Sequence, residues 1–391
     1  MNLAIVHDWL SVFAGAEQCL LSFRHIWPDS DVYALIDYLS DDDRQTLLGG
    51  EYARTSLIQG LPFSKRAYRS YLPFFPFAVE QFDLGNYDVI LSSSHAVAKG
   101  VLTRHDQLHI SYVHSPIRYA WDLYHQYLRE SGLDRGIKGW IARWFLHYIR
   151  NWDVSTAHRP DYYIANSHFI AERIRKTYNK SADTIYPPVD VDKFTLQSEK
   201  QDYYLTASRF VPYKKIDLIV ETFAKIEKQL VVVGDGPDAA KIKALGAPNI
   251  EFKGYVPRQE LISLMQGAKA FVFAAVEDFG IVPVEAQACG TPVIALGQGG
   301  SCETVRGPYA DDPDAFTQSQ TAPTGVLFRR QTVADLTKAV QVFDAHQSAF
   351  DPHATRAHAE TFSRPRFEQE ITEYVAEKLK THSFLGGSGG A

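Results

Sequence analysis

A chain of 391 residues, 45% hydrophobic and 22% charged, is long enough for two buried cores and ordinary in composition for a globular protein. A formal charge of −6 excludes a surface given over to nucleic acid, and no apolar run approaches the roughly 20 residues of a membrane-spanning helix. The three cysteines, Cys19, Cys289 and Cys302, lack metal-ligand spacing and point to a reducing compartment without disulfides.

Leu3 to His7 reads as a buried first strand that starts almost at Met1, so no leader peptide is expected. Phe13 to Glu17 then leads into a helix with apolar positions Cys19, Leu20, Phe23, Ile26 and Trp27, the opening of a doubly wound α/β domain. Gly15 in that loop either lets the backbone approach a phosphate or simply makes a tight turn. Asp31 to Ile36 is a second strand. Residues 60–82 break the rhythm: Pro62, Pro73 and Pro76 exclude one long helix, and Lys65, Arg66 and Arg69 interleave with aromatic residues. Such mixing suits either an anionic membrane surface or an excursion folded onto the domain.

Tyr87 to Leu91 and His109 to Val113 are further strands. His95 and His114 follow them at their C-terminal ends, where ligands gather in open parallel sheets. Arg118, Tyr119 and Asp122 come soon after and are candidates for the wall of a polar site. Over 137–152, Ile137, Ile141, Trp144, Phe145, Tyr148 and Trp152 share one helical face. Core packing is the usual reason for such a stripe; its tryptophans and flanking Lys138, Arg143 and Arg150 also fit a helix lying on anionic lipid. Asp161 to Ala165 is a strand, Asn166-Ser167 caps a helix to about Tyr178, and the stretch to Lys200 reads as a linker and candidate hinge.

The alternation then restarts. Strands are expected at Tyr203 to Ser208, Gln229 to Val233, Ile250 to Lys253, Ala270 to Ala275 and Pro292 to Leu296, with a helix from Ile216 to Ile226. Arg209 and Lys214 place two cations across a turn, which suits a diphosphate. Between the last two strands, Gly280 opens a short helix with Pro283 in its first turn. The N–H groups of Gly280, Ile281 and Val282 therefore form a helix N-terminus able to attract an anion. Glu277 lies at the strand tip, and Glu285 is expected in the first helical turn, where it could accept paired ribose hydroxyls or merely complement the helix dipole. Helical segments at 331–345 and 351–360 precede a last helix from about Pro365 to Lys380, and the Gly/Ser-rich tail is set aside as an appended linker.

Arg209 with Lys214, Gly234-Asp235-Gly236-Pro237, Glu277 with seven residues before Glu285, and Gly299-Gly300-Ser301-Cys302-Glu303 occur in this order. Together they resemble the retaining glycosyltransferase family 4. The segments Tyr112 to Pro116, Arg118 to Asp122, Ser208 to Lys214 and Glu277 to Ile281 are similar to bacterial GDP-mannose-dependent mannosyltransferases of O-antigen and exopolysaccharide assembly.

The resemblance implies an α/β fold of the GT-B type, with two Rossmann-like domains facing each other across a cleft. Residues 1–186 would bind the acceptor, 187–200 would link, and 201–364 would bind the nucleotide sugar. The helix at 365–383 would cross back to the first domain, leaving 384–391 as tail. It implies that Arg209 and Lys214 hold the donor diphosphate and that Gly234 is among the donor-binding residues. Glu277 and Phe279 to Val282 would contact the sugar and phosphate, Glu285 the ribose, and Gly15 the diphosphate. His114 would lie beside the reacting sugar. One departure is Ala14-Gly15-Ala16, where many members carry consecutive glycines.

Fixed cations and a helix N-terminus can stabilise a leaving diphosphate without a metal. The Asp-x-Asp pairs Asp41/Asp43, Asp190/Asp192 and Asp312/Asp314 follow no expected core strand and read as loop or linker acids, so no metal or other cofactor is expected. With no carboxylate obvious as a nucleophile, same-face attack is the expected route to retention. The expected partners are GDP-mannose, a lipid-linked glycan acceptor and an anionic membrane surface met through 60–82 and 137–152. That places the protein on the inner face of the bacterial cytoplasmic membrane. The alternatives are a UDP- or dTDP-sugar donor and a nucleotide-sugar or carbohydrate binder without turnover. Asp37 after the second strand is the one feature that favours an oxidoreductase, and no G-x-G-x-x-G accompanies it.

Overall fold

A computed structural model describes residues 1–312 and 321–386. Asp314 and the end of the Gly/Ser-rich tail lie outside them. The chain forms two compact units, one of Met1–Pro188 with the chain from Phe367 onward, the other of Val189–Arg366.

The first unit is built on seven parallel strands: β1 (Leu3–His7), β2 (Asp31–Ala34), β3 (Arg54–Thr55), β4 (Val89–Ser94), β5 (Leu108–Val113), β6 (Tyr162–Ala165) and β7 (Asp183–Thr184). Their spatial order is β3-β2-β1-β4-β5-β6-β7. The winding reverses between β1 and β4, so their C-terminal ends form the switch point at which such sheets bind ligands. Alternation along β1 serves two cores. Leu3 and Ile5 join Phe23 of the Gly15–Ile26 helix, Tyr112, Phe367, Ile371 and Val375 on one face. Ala4 and Val6 join Ile58, Tyr68, Phe75, Val79 and Phe82 on the other. Phe367, Ile371 and Val375 recur every four residues along the Arg364–Gly386 helix, which is why its end belongs to the first unit although it follows the second in sequence.

The second unit carries six parallel strands: β8 (Tyr204–Ala207), β9 (Leu230–Val233), β10 (Ile250–Gly254), β11 (Ala270–Phe273), β12 (Val293–Leu296) and β13 (Gly325–Phe328). Their order is β10-β9-β8-β11-β12-β13, with the switch point between β8 and β11. Its core takes Ile216, Ile219, Val220 and Phe223 from the Ile216–Ile226 helix, and Leu336, Val340 and Phe343 from the Val333–Ala345 helix.

Several expectations change. The second strand stops at Ala34, because Leu10 and Asp37 pair separately beyond it. β4 starts at Val89 and runs on to Ser94, past the expected end at Leu91. Glu285 is the fifth residue of the Ile281–Ala288 helix, beyond the first turn. The stretch expected as a free linker is packed into the second unit from Val189 onward: Phe194 is buried, and the Lys200 ammonium donates to Gln266 O, Cys289 O and Thr291 Oγ1.

The largest change concerns the helix at Gly136–Ser155. Its buried positions are Gly139, Leu146, Ile149 and Asp153. The aromatic stripe instead lies largely outside, with Ile137 80%, Ile141 43% and Trp144 56% exposed, and Trp140 beside it is 68% exposed. An ion pair between buried Lys99 and Asp153 at 2.9 Å fixes the helix to the unit. Trp121 Nε1 and Tyr178 OH also donate to Asp153, at 2.8 and 3.0 Å. Residues 60–82 divide in the same way: Tyr68, Phe75 and Phe82 are buried, whereas Phe63, Phe74 and Phe77 are exposed along with Lys65, Arg66 and Arg69.

Candidate functional site

Each sheet presents a polar cluster at its switch point. In the second unit the chain leaves β8 as Ser208-Arg209, turns through Pro212–Lys214 and enters a helix at Ile216. Lys214 Nζ lies 2.5 Å from Glu277 Oε1, beyond the end of β11. Both side chains are about one-fifth exposed, so the pair is open to a ligand that competes for either partner. Arg209 is exposed and makes no ion pair with a described residue.

Backbone contacts explain the glycines around this pair. Gly234 has φ +127°, and a Cβ there would meet Ser208 O at 1.8 Å. A Cβ at Gly300 would lie 2.4 Å from Phe279 O, and Gly300 N donates to Glu277 O at 2.8 Å. The two loops thus press directly on the segments that carry the cations and Glu277. Gly280, at φ +89°, caps the Ile281–Ala288 helix without a side-chain cap bond. The first N–H groups of a helix have no intrahelical acceptor, and the residues Gly280, Ile281 and Val282 are half-buried, so the helix end can accept an anion.

Glu285 is set apart from Lys214 and Glu277 by its partner, Arg258 Nη2 at 3.2 Å. Burial raises its carboxyl pKa to about 7, against the opposing effect of Arg258. Phe279 corrects an expectation: its side chain is buried against Phe362, with ring centroids 5.4 Å apart, and does not line an open site. Two of the three acid pairs have members in structural positions, and Asp314 of the third lies outside the described residues. Asp41 and Asp43 lie in the first turn of the Asp41–Leu48 helix, and Asp190 accepts from Arg364 and Lys193 at 2.7 Å each.

In the first unit, His95 and His114 do come together, with ring centroids 6.3 Å apart. His114 Nε2 lies 2.8 Å from Ser93 Oγ. Burial holds its pKa well below the usual histidine value, and the neighbouring His95 and His7 add to the effect. His95 Nδ1 lies 3.1 Å from Asp8 Oδ2, and burial lowers its pKa despite that carboxylate. Asp8 also accepts the backbone N–H groups of His95, Ala96, Val97 and Ala98, at 2.6, 2.9, 2.6 and 2.8 Å.

The other expected wall residues divide. Arg118 and Tyr119 are half-buried, and the Tyr119 ring rests 5.7 Å from that of Tyr127. Asp122 instead pairs with Arg173 at 2.5 Å. Gly15 is the first residue of its helix, with Ala14 N donating to Glu17 Oε2 at 3.0 Å. Asp37 accepts from buried Arg44 at 2.9 Å and from Ala53 N at 3.1 Å, a structural role that removes the oxidoreductase feature. His7, Asp8, Ser93 and Glu17 were not singled out from the sequence. The rule that found His95 and His114 covers His7 and Asp8 too, because they end β1 beside the same switch point.

Residues 32–193 match the model described as Glycosyltransferase Family 4, and residues 190–341 match that described as Glycosyl transferases group 1. A D-inositol 3-phosphate glycosyltransferase of Mycobacterium sp. (strain JLS) is 27% identical over 229 residues, 52% of this chain and 49% of that protein. A GDP-mannose-dependent monoacylated alpha-(1-6)-phosphatidylinositol monomannoside mannosyltransferase of Corynebacterium glutamicum is 35% identical over 114 residues, 25% of this chain and 30% of that protein. The chain therefore spans half or less of the length of these two relatives. Among solved structures, Anabaena HepE in complex with UDP aligns with a TM-score of 0.67 at 18% identity, covering 96% of this chain and all of that one, which establishes likeness of fold.

Proposed function

We propose that this chain, which belongs to glycosyltransferase family 4, moves a mannosyl residue from GDP-mannose to a lipid-linked glycan acceptor with retention of configuration and without a metal. The observation that carries the reading is the open Lys214–Glu277 pair at the switch point of the second sheet. A sugar diphosphate can divide such a pair. The phosphate takes the Lys214 ammonium, which frees the Glu277 carboxylate to accept from sugar hydroxyls. Arg209 supplies a second cation, and the N–H groups at the Gly280 helix end face the remaining anionic charge. Charge that develops on the departing diphosphate then meets donors already in place, without reorganisation at the moment of reaction. The leaving phosphate helps deprotonate the acceptor on the same face; a trapped covalent sugar–enzyme adduct would contradict this route.

The mannosyl donor is supported by the Corynebacterium relative, whose name specifies GDP-mannose, and by similarity to a Candida glabrata alpha-1,3/1,6-mannosyltransferase, 25% identical over 58% of this chain and 61% of that one. The exposed aromatic stripe and the basic surface at 60–82 support a lipid-borne acceptor met at the inner face of the cytoplasmic membrane. Among the described residues no helix is long and apolar enough to cross a membrane. The UDP in the HepE complex favours the second reading, the same chemistry on a UDP-sugar.

The test is thermal shift and donor hydrolysis across GDP-mannose, UDP-glucose, UDP-N-acetylglucosamine and dTDP-rhamnose, with and without EDTA. Stabilisation and slow hydrolysis by GDP-mannose alone, unchanged by EDTA, are expected. Preference for another nucleotide overturns the donor, and no response to any of them points to a non-catalytic carbohydrate binder or to a site that forms only with acceptor present.

A further inference from the structure

The switch point of the first sheet holds a continuous line of polar groups that the donor chemistry above does not use. His7 and Ser93 are register partners on β1 and β4, which sets the His7 ring beside the serine hydroxyl. His7 Nδ1 lies 3.0 Å from Ser93 Oγ, and Ser93 Oγ lies 2.8 Å from His114 Nε2. At the other end, His7 Nε2 is 3.5 Å from Glu17 Oε1. His7, Ser93 and Glu17 are all buried, and His7 Nε2 makes no hydrogen bond, so the Glu17 carboxylate is the acceptor it faces. His114 Nδ1, the outer end of the line, makes no hydrogen bond to a described residue and is not a buried orphan.

One hydroxyl proton between two imidazoles makes the line directional. If His7 is neutral beside an ionised Glu17, its proton sits on Nε2, facing the carboxylate. His7 Nδ1 is then an acceptor and takes the Ser93 hydroxyl proton. Ser93 Oγ in turn can only accept from His114, which must carry its proton on Nε2. We infer that Glu17, His7 and Ser93 are positioning residues that lock His114 in its Nε2-protonated form and present the bare Nδ1 lone pair as an acceptor for a sugar hydroxyl. The guest rests on the glycosyltransferase reading; the lock does not. A deoxy carbon at that position forfeits the hydrogen bond, and a carboxylate there is repelled by the lone pair.

The surroundings agree. Burial pushes the Glu17 carboxyl up, but the His7 ring at 3.5 Å and a backbone N–H on the carboxylate outweigh it and hold it below the usual carboxylate range, so it stays ionised. The depressed pKa of His114 keeps that ring neutral. The other titratable groups here are His95 with its partner Asp8, and Arg69, which acts on His95; the Tyr112 ring flanks His114 with centroids 5.2 Å apart. The line ends at His114: its backbone N–H donates to Ser94 O, and its carbonyl accepts from Asn166 Nδ2 at 3.0 Å, which fixes the ring's origin.

The experiment is long-range proton–nitrogen NMR of the full chain labelled with ¹⁵N-histidine at pH 7.5, with His114 assigned from the signals lost in His114→Gln. The expected result is a protonated Nε2 and an unprotonated Nδ1, favoured by about tenfold or more, and a shift of that preference toward equality in Ser93→Ala. An Nδ1-protonated or mixed His114 in the unsubstituted protein overturns the lock, whether or not Ser93→Ala folds. So does an unchanged preference in Ser93→Ala. Adding methyl α-mannoside should then move the Nδ1 resonance. A saturating amount that leaves Nδ1 unmoved makes the assigned guest wrong; donor hydrolysis tests the glycosyltransferase reading separately, and the lock is decided by the first spectra.

Discussion

At the scale of single residues, two glutamates from one motif have different environments. Glu277 is paired with Lys214 and open to a ligand, whereas Glu285 is more enclosed and faces Arg258. Burial raises the Glu285 pKa to about 7 from an ordinary value of 4.5. Between those two values the folded protein holds a proton that the unfolded chain has released. Stability contributed by this group is therefore present below the unfolded pKa and is lost as pH rises toward 7. Glu285→Gln should abolish that part of the slope and stabilise the ligand-free protein at pH 8 by on the order of 1–3 kcal/mol, with little effect at pH 4.5. Thermal unfolding at the two pH values checks this; an equal effect at both would contradict it. The spacing of Arg209, Lys214, Glu277 and Glu285 was legible in the sequence because the two cations and two carboxylates follow strand tips. Their partners were not, because Arg258 is remote from Glu285 in sequence and becomes its neighbour only through folding.

At the scale of elements, the Gly136–Ser155 helix shows why periodicity alone misleads. Its aromatic stripe has the spacing of a core face, yet the unit grips the helix through Leu146, Ile149 and the buried Asp153. Asp153 gathers Lys99, Trp121 and Tyr178, so its carboxylate compensates a buried ammonium. Asp153→Ala should destabilise the first unit by about 3–5 kcal/mol, read as a lowered denaturation midpoint, because the Lys99 charge would be left unpaired. A loss below about 1 kcal/mol would mean that the ammonium finds water or another partner. The exposed side predicts the opposite pattern. Trp140→Ser with Trp144→Ser should leave the melting temperature nearly unchanged and reduce co-sedimentation with anionic vesicles several-fold. Equal sedimentation of the variant and the unsubstituted protein, or no preference for anionic over neutral lipid, would remove the membrane role of this face. Sequence pattern identified the helix because its apolar residues recur at helical spacing. The side turned inward was decided by a charged residue that hydropathy reads as outward.

At the scale of the whole molecule, two parallel sheets were legible from buried runs followed by short polar loops. Leu3 to His7 and Gln229 to Val233 are strands of this kind. Arg54–Thr55, Asp183–Thr184 and Gly325–Phe328 were not, because two to four residues with no alternation leave too little pattern to separate from loop. Strand order, invisible in local sequence, makes the clusters intelligible: it sets His7 beside Ser93, and the end of β8 near that of β11. The proposed reaction assigns the second cluster to the diphosphate. The most direct measurement is release of GDP and mannose from GDP-mannose in the presence of EDTA, by the unsubstituted protein and by Lys214→Ala. The account predicts slow release that falls by about 10²–10³-fold in the variant while its melting temperature holds. Release at the same rate by both proteins, or by neither, would contradict it.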